Sequence, residues 1–170
     1  GSLFLTPIFL AETKFLAAKT SLQNSAPNRS LYYSTNLDKH LPELADFILA
    51  MRAESYQALF NWESANNKWN DLLVKYPKSP LVDQALYQIG NAYFAQAKLK
   101  QAHAAYLKAL NVAPKRSEAA SAKMNLARIA ELLGKWDEAE EIYKHYVYHL
   151  PSHHLTELAQ LKLNKLIKNK

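Results

Sequence analysis

Four histidines near the C-terminal end are the residues best placed to do chemistry: His145 and His149 stand four apart, and His153 and His154 follow Pro151. Histidines at i and i+4 share one face of a helix, where two imidazoles could hold a metal ion. The carboxylate of a His-Glu-x-x-His arrangement is missing, however, and Tyr143, Tyr146 and Tyr148 crowd the same stretch. Aromatic packing with a polar edge therefore accounts for the segment, and no metal is expected. The sequence has no cysteine for a thiolate nucleophile or zinc site, no Gly-x-Ser-x-Gly elbow and no glycine-rich loop for phosphate. These absences point to a chain without catalytic constellation or cofactor. Asn28-Arg29-Ser30 matches a glycosylation acceptor, a tripeptide too short to carry weight.

The formal charge is +6, but basic and acidic residues interleave along the repeats, so no basic stripe marks a specific nucleic-acid site. A hydrophobic fraction of 49% over 170 residues suits a packed domain, and only 3 Gly with 7 Pro favour helices over a turn-rich sandwich. No apolar run approaches the roughly 18 residues of a membrane span. Leu3-Phe4-Leu5-Thr6-Pro7-Ile8-Phe9-Leu10 is apolar but broken by proline, and it reads as a buried extended segment or helix lead-in. Gly1-Ser2 reads as a cloning remnant, so the ends need not be natural ones. Helical stretches are expected at about 11–23 and, more weakly, 30–38.

The elements that must position any site come from an internal repeat. Pro77, Pro114 and Pro151 are 37 residues apart, and the same step links Ala65, Ala102 and Ala139. It also links Trp69, Tyr106 and Tyr143; Trp62, Leu99 and Trp136; and Ala53, Gly90 and Ala127. Each unit reads as two amphipathic helices, at about 43–59 with 62–76, 80–96 with 99–112, and 117–133 with 136–149. The small columns allow close helix crossing, and the aromatic columns, with Tyr56 and Tyr93, fill the space beside them. Prolines end the second helices. Ser79-Pro80 is expected to cap and start one first helix, and Ser117-Glu118 to put an acid in the first turn of another. A last helix at 153–168 continues the pattern, with Ala159 and Leu163 each 37 residues after Ala122 and Leu126. Its Lys162, Lys165 and Lys168 recur at helical spacing, which suits the solvated face of a terminal cap, and the alternative is the first helix of a fourth repeat whose partner lies outside the given sequence.

The unit Leu86, Ile89, Gly90, Tyr93, Ala102, Tyr106, Ala109 and Pro114 resembles a complete tetratricopeptide repeat. Ala53, Tyr56, Ala65, Trp69, Leu72 and Pro77 fit the first unit, and Leu126, Ala139, Tyr143 and Pro151 the third. The 37-residue period exceeds the usual ~34, and Tyr76-Pro77-Lys78-Ser79-Pro80 before Ala85-Leu86-Tyr87 resembles the variant of bacterial cell-envelope proteins. The resemblance implies an all-α fold: a right-handed α-solenoid of three helix pairs, with an N-terminal lead-in at 1–41 and a repeat domain at 42–170. Its repeats fall at about 42–78, 79–115 and 116–152, followed by a capping helix at 153–168. Leu41-Pro42-Glu43-Leu44-Ala45-Asp46-Phe47, after an Ala/Leu-rich helix, is similar to the superhelical region of soluble lytic transglycosylases, periplasmic enzymes that cut peptidoglycan with a separate lysozyme-like domain. Those enzymes place a catalytic Glu before a Ser, and Glu54-Ser55 and Glu63-Ser64 have that dipeptide, but the Gly/Gln/Pro motif that follows it is absent.

By the same resemblance, the first helices line a concave groove that takes a protein or peptide partner. The expected groove residues are Phe47, Glu54, Gln57, Gln84, Tyr87, Asn91, Phe94, Met124, Arg128 and Glu131, with Tyr87 and Phe94 either as apolar anchors or packed against neighbouring helices, Asn91 on a peptide backbone and Arg128 on a carboxylate. Ala50 and Glu54 stand where chaperone-binding relatives carry Lys and Asn, so a chaperone tail is not the expected partner. The resemblance leaves two roles, a scaffold for a fused or neighbouring catalytic domain at the cell envelope or a stand-alone adaptor.

Overall fold

A threonine cap and a following proline set the first helix. In the computed structural model, which describes residues 6–169, Thr6 Oγ1 accepts from the Phe9 N–H and α1 runs Pro7–Gln23. The expectations for Gly1-Ser2 and Leu3 to Leu5 lie outside the described residues. Ile8, Phe9 and Leu10, expected to be buried, are exposed, because Ala11 and Ala18 carry the buried face of α1. The second stretch is shorter and earlier than expected: Pro27 starts α2 (Pro27–Ser34), which stops where Thr35 turns extended and Asn36 adopts φ 58°. Two 3-10 turns, Leu37–Lys39 and Pro42–Leu44, lead into α3 (Ala45–Ala58). Ala11, Leu37, Leu41 and Ile48 bury one core there. Arg52 pins α2 to α3, since its Nη1 donates to Leu31 O at 2.9 Å and Ser34 Oγ at 2.8 Å at the carbonyl end of α2.

The repeat supplies α3 with α4 (Trp62–Lys75), α5 (Val82–Ala95) with α6 (Leu99–Val112), and α7 (Ala119–Leu132) with α8 (Trp136–His149). A single helix, α9 (Thr156–Lys168), ends the described chain. Among the described residues all regular structure is helical, and no helix is long and apolar enough to cross a membrane. Two compact units are present, one ending at Gln88 and the other starting at Ile89, so the boundary falls inside α5. Two helix starts differ from expectation. Ser79 does not cap α5: its hydroxyl donates to Asp46 Oδ2 at 2.5 Å and accepts from the Leu81 N–H at 3.1 Å, closing a turn before the helix begins at Val82. Glu118 sits ahead of α7 instead of in its first turn, held by Arg116 at 2.8 Å, whose hydrogen bond lowers the carboxyl pKa.

The small columns do what their size predicts. Ala65, Ala102 and Ala139, and Ala53 and Ala127, are completely buried. At Gly90 a methyl group would come within 2.6 Å of the Tyr106 ring, so this crossing admits no side chain. Lys162 departs from its expected solvated role: α9 buries Ala159 and Leu163, and the Lys162 ammonium donates to Glu131 at 3.1 Å.

The aromatic column is a polar bridge as well as a wedge. Trp69, Tyr106 and Tyr143 are fully buried, yet each sends its polar tip to a first helix. Trp69 Nε1 donates to Gln57 Oε1 at 3.3 Å, and Gln57 Nε2 donates to Gln88 on α5 at 3.0 Å. The Tyr106 hydroxyl donates to Asn91 Oδ1 at 2.6 Å and accepts from Asn125 Nδ2 on α7 at 3.2 Å. The Tyr143 hydroxyl donates to Glu131 at 3.1 Å, the carboxylate that Lys162 on α9 also reaches. Gln88, Asn125 and Lys162 are themselves 37 residues apart, so one bridge recurs in every repeat: the tip of a second helix, its own first helix, and the next first helix. Removing the Tyr106 hydroxyl breaks its bonds to two half-buried amides, so Tyr106→Phe is expected to lose about 1–3 kcal/mol. Trp69→Phe should lose more, because it also leaves a cavity where the larger indole is fully buried. Chemical denaturation followed by circular dichroism checks both, and an unchanged Tyr106→Phe midpoint would show the bridge to be dispensable.

A second recurrence sets the turns. Phe60, Ala97 and Gly134, 37 residues apart, all adopt positive φ, at 60°, 57° and 74°. Each closes a first helix by a paired hydrogen bond, Phe60 N–H to Gln57 O with Asn61 N–H to Tyr56 O in the first repeat, and the same pattern at 97–98 and 134–135. The left-handed region costs an L-residue roughly 1–2 kcal/mol, and glycine escapes that cost. Ala97→Gly is therefore expected to stabilise by about 1 kcal/mol and Gly134→Ala to destabilise by about as much. Nothing lies within 4 Å of a methyl at Gly134, so a change there reads backbone strain alone, and thermal midpoints moving in opposite directions would check it.

Candidate functional site

In the first unit, α1, α3 and the start of α5 enclose a trough of about 390 Å3. Phe15, Lys19 and Leu22 form one wall, Phe47, Ala50, Met51 and Glu54 the floor, and Leu81 and Gln84 the other wall. The repeat pattern shows why it is open here. Ala50 occupies the position that holds Tyr87 and Met124 in the following repeats, and both of those are buried. Met51 occupies the position of Gln88 and Asn125, and in the preceding pair Tyr32, 37 residues before Trp69, is 77% exposed where the later aromatics are buried. A small residue and an apolar one therefore stand where later repeats carry bulk and a polar link. Phe47 leaves 43% of its surface exposed at the trough. Glu54 Oε1 accepts from Gln84 Nε2 at 2.9 Å. Burial raises the Glu54 carboxyl above its ordinary pKa, and the Gln84 bond pulls it partly back.

In the second unit the corresponding position carries the opposite charge. Arg128 is exposed, its guanidinium lies 5.4 Å from the Phe94 ring centroid, and its Nη1 donates to Asn125 Oδ1 at 3.4 Å. Stacking on Phe94 orients the guanidinium without neutralising it, an arrangement suited to a carboxylate. Burial pushes the Tyr106 phenol up to about 12, against the opposing Asn125 bond and Arg128 charge. Burial, then the Glu131 carboxylate, raises Tyr143 as well. Both phenols stay neutral at physiological pH and act as hydrogen-bond groups.

The expected groove residues therefore divide. Glu54, Gln84, Phe94 and Arg128 lie where a partner could touch them. Gln57, Asn91 and Glu131 are engaged in the aromatic bridges. Tyr87 and Met124 are corrections: at 0% and 3% exposure they are core residues, filling the space that Ala50 leaves open. Ser55 is buried with its hydroxyl on Met51 O at 2.8 Å, Glu63 is exposed in the first turn of α4, and Glu54 lines the trough with its pKa raised by burial. The His145 and His149 rings lie 5.1 Å apart, and among the described residues no group of three or more His, Cys, Asp or Glu is placed to hold a metal. Sequence reasoning missed the α1 wall and the bridging Gln88, Asn125 and Lys162. The 37-residue step reaches all three bridging residues, but their mixed chemistry hides the column.

Two family models described as tetratricopeptide repeat match the chain, at residues 50–79 and at 83–116. Among solved structures the chain is similar to a tetratricopeptide repeat protein from Parabacteroides merdae, with TM-score 0.70, 23% identity, and 96% of this chain covered. It spans 60% of that protein's length, less than two thirds. It is also similar to the MamA protein, with TM-score 0.70 and 16% identity over 94% of this chain and 87% of that one. A thermophilic TPR protein from Thermus thermophilus follows at TM-score 0.60 and 18% identity, over 92% of this chain and 81% of that one. No curated protein matches. At these identities the structural likeness is one of fold. The segments 50–79 and 83–116 match tetratricopeptide-repeat models, and the chain has an all-α fold of helix pairs like that of the tetratricopeptide-repeat solenoids.

Proposed function

We propose that this chain is a protein-interaction scaffold that holds a segment of a partner protein on the faces of its first helices. The open trough at Ala50, with Phe47 exposed beside it, carries the reading. A cavity of this size falls in the range of built ligand sites, and an exposed aromatic beside a small-residue floor is the form of an anchor pocket. Arg128 on Phe94 supports it from the second unit, as an oriented cation without a carboxylate partner among the described residues. A photo-crosslinking amino acid at Phe47 is expected to trap a discrete partner band in the source cells. One at Val74, 80% exposed on α4, should not. Equal or absent crosslinking at both positions would overturn the reading.

A second, finer reading is favoured by the Leu41 to Phe47 lead-in alone: that this scaffold serves a peptidoglycan lytic transglycosylase at the bacterial envelope, with its catalytic domain elsewhere in the same protein. Leu41 and Ala45 are buried, so packing accounts for part of that motif, and the adaptor role needs no second domain. Immunoblotting of fractionated source cells separates the two. A periplasmic protein several times larger than 19.3 kDa is expected for the transglycosylase scaffold, and a band near 19.3 kDa would overturn it.

A further inference from the structure

Glu54 is a carboxylate in an apolar setting with one neutral donor. Gln84 Nε2 occupies Oε1. Among the described residues no donor reaches the other oxygen, and no Lys, Arg or His pairs with the group. It shares a trough lined by the apolar Phe15, Leu22, Phe47, Met51 and Leu81, with Gln23 and Gln84 as neutral polar groups and Lys19 on α1 as the other charged residue. A carboxylate drawn out of water needs a compensating charge or several donors, and this one has neither. Burial already raises its pKa, with the Gln84 bond opposing. What would offset the loss is a cation that brings its own apolar stem, because the floor is a hydrocarbon trough ending at the carboxylate.

A basic side chain has that form: a methylene stem that lies along apolar surface and a charged head. Phe15 and Phe47 add aromatic faces that favour an incoming cation. With one oxygen held by Gln84, Glu54 offers its second oxygen as a single acceptor, which suits the compact ammonium of lysine at least as well as the two-pronged guanidinium. We propose that the trough at Glu54 takes a lysine or arginine side chain of the partner segment, stem on Phe47 and Met51, head on Glu54. This rests on the reading of the trough as a partner site and names the chemistry of what enters it. The site's selectivity comes from charge, because Ala50 and Met51 give shape without polarity.

The test uses the side chain itself as probe. N-acetyl-lysine methylamide, its arginine counterpart and N-acetyl-norleucine methylamide, which keeps the stem and lacks the charge, are titrated into the 15N-labelled chain. Backbone amides of Ala50, Glu54 and Gln84 are followed by NMR. The basic probes are expected to shift these amides with millimolar affinity, about fivefold tighter than norleucine. Glu54→Gln should bring that ratio to about one while keeping the norleucine shifts, and Phe47→Ala should weaken all three probes together. The preference should also fall as pH drops through the raised Glu54 pKa, since the protonated carboxyl attracts no cation, and it should show no such dependence in Glu54→Gln. Lys19→Met is expected to tighten the basic probes slightly by removing a like charge. Equal binding of norleucine and lysine would overturn the charge assignment and leave the trough as an apolar partner site. No shift from any probe would overturn the assignment as well, and crosslinking at Phe47 would then decide separately whether a partner uses this face.

Discussion

The helix pairs depend on a hydrogen bond made at the far end of a buried ring. Trp69, Tyr106 and Tyr143 fill the gap beside columns of alanine and glycine, and an aromatic of that length must place its polar tip somewhere. Buried polar atoms are costly unless paired, so each tip finds an acceptor on its own first helix, and the next first helix joins that acceptor or, at Tyr106, the hydroxyl itself. That requirement fixes two spacings together. The ring sets how closely the pair can cross, and the tip sets where the following first helix must lie. Phenylalanine at the same position would satisfy the first spacing and ignore the second.

The acceptor differs from repeat to repeat within this constraint. Gln57 and Glu131 stand at the same position in the repeat, and both receive the ring above them. Phe94 holds that position in the middle repeat and can accept nothing, so Tyr106 turns to Asn91, one helical turn earlier. The exchange leaves Phe94 to pack another way, and Arg128 lies across it. A local substitution in the bridge thus creates an oriented guanidinium. The polar network and the candidate surface are not independent features of the second unit.

Regular spacing makes most of the fold legible in the sequence. Helices with a glycine or alanine column, an aromatic column and a terminal proline fall within a few residues of expectation, and α4, α6 and α8 begin where Trp62, Leu99 and Trp136 predict. Errors gather where a side chain has a distant partner. Ser79 looks like a helix cap until Asp46, 33 residues away, is seen to hold its hydroxyl. Lys162 looks like a solvated lysine until Glu131 is seen 31 residues away. Tyr87 looks like a groove anchor because first-helix position alone cannot say whether a neighbouring wall covers it. The trough is legible only in reverse, as a column where a large buried residue is replaced by Ala50.

That replacement separates what the scaffold needs from what it displays. The positions under the helix crossings keep their size class through every repeat, whether the residue is Ala53, Gly90 or Ala127. The position holding Glu54, Asn91 and Arg128 runs from anion through amide to cation, a range that no packing requirement would tolerate. Asn91 is drawn into a bridge, Glu54 lines the trough and Arg128 is exposed, with orientations set by neighbours, Gln84 for the carboxylate and Phe94 with Asn125 for the guanidinium. A side chain that the core does not constrain, but that adjacent residues nonetheless hold in place, is available to be selected for what it binds.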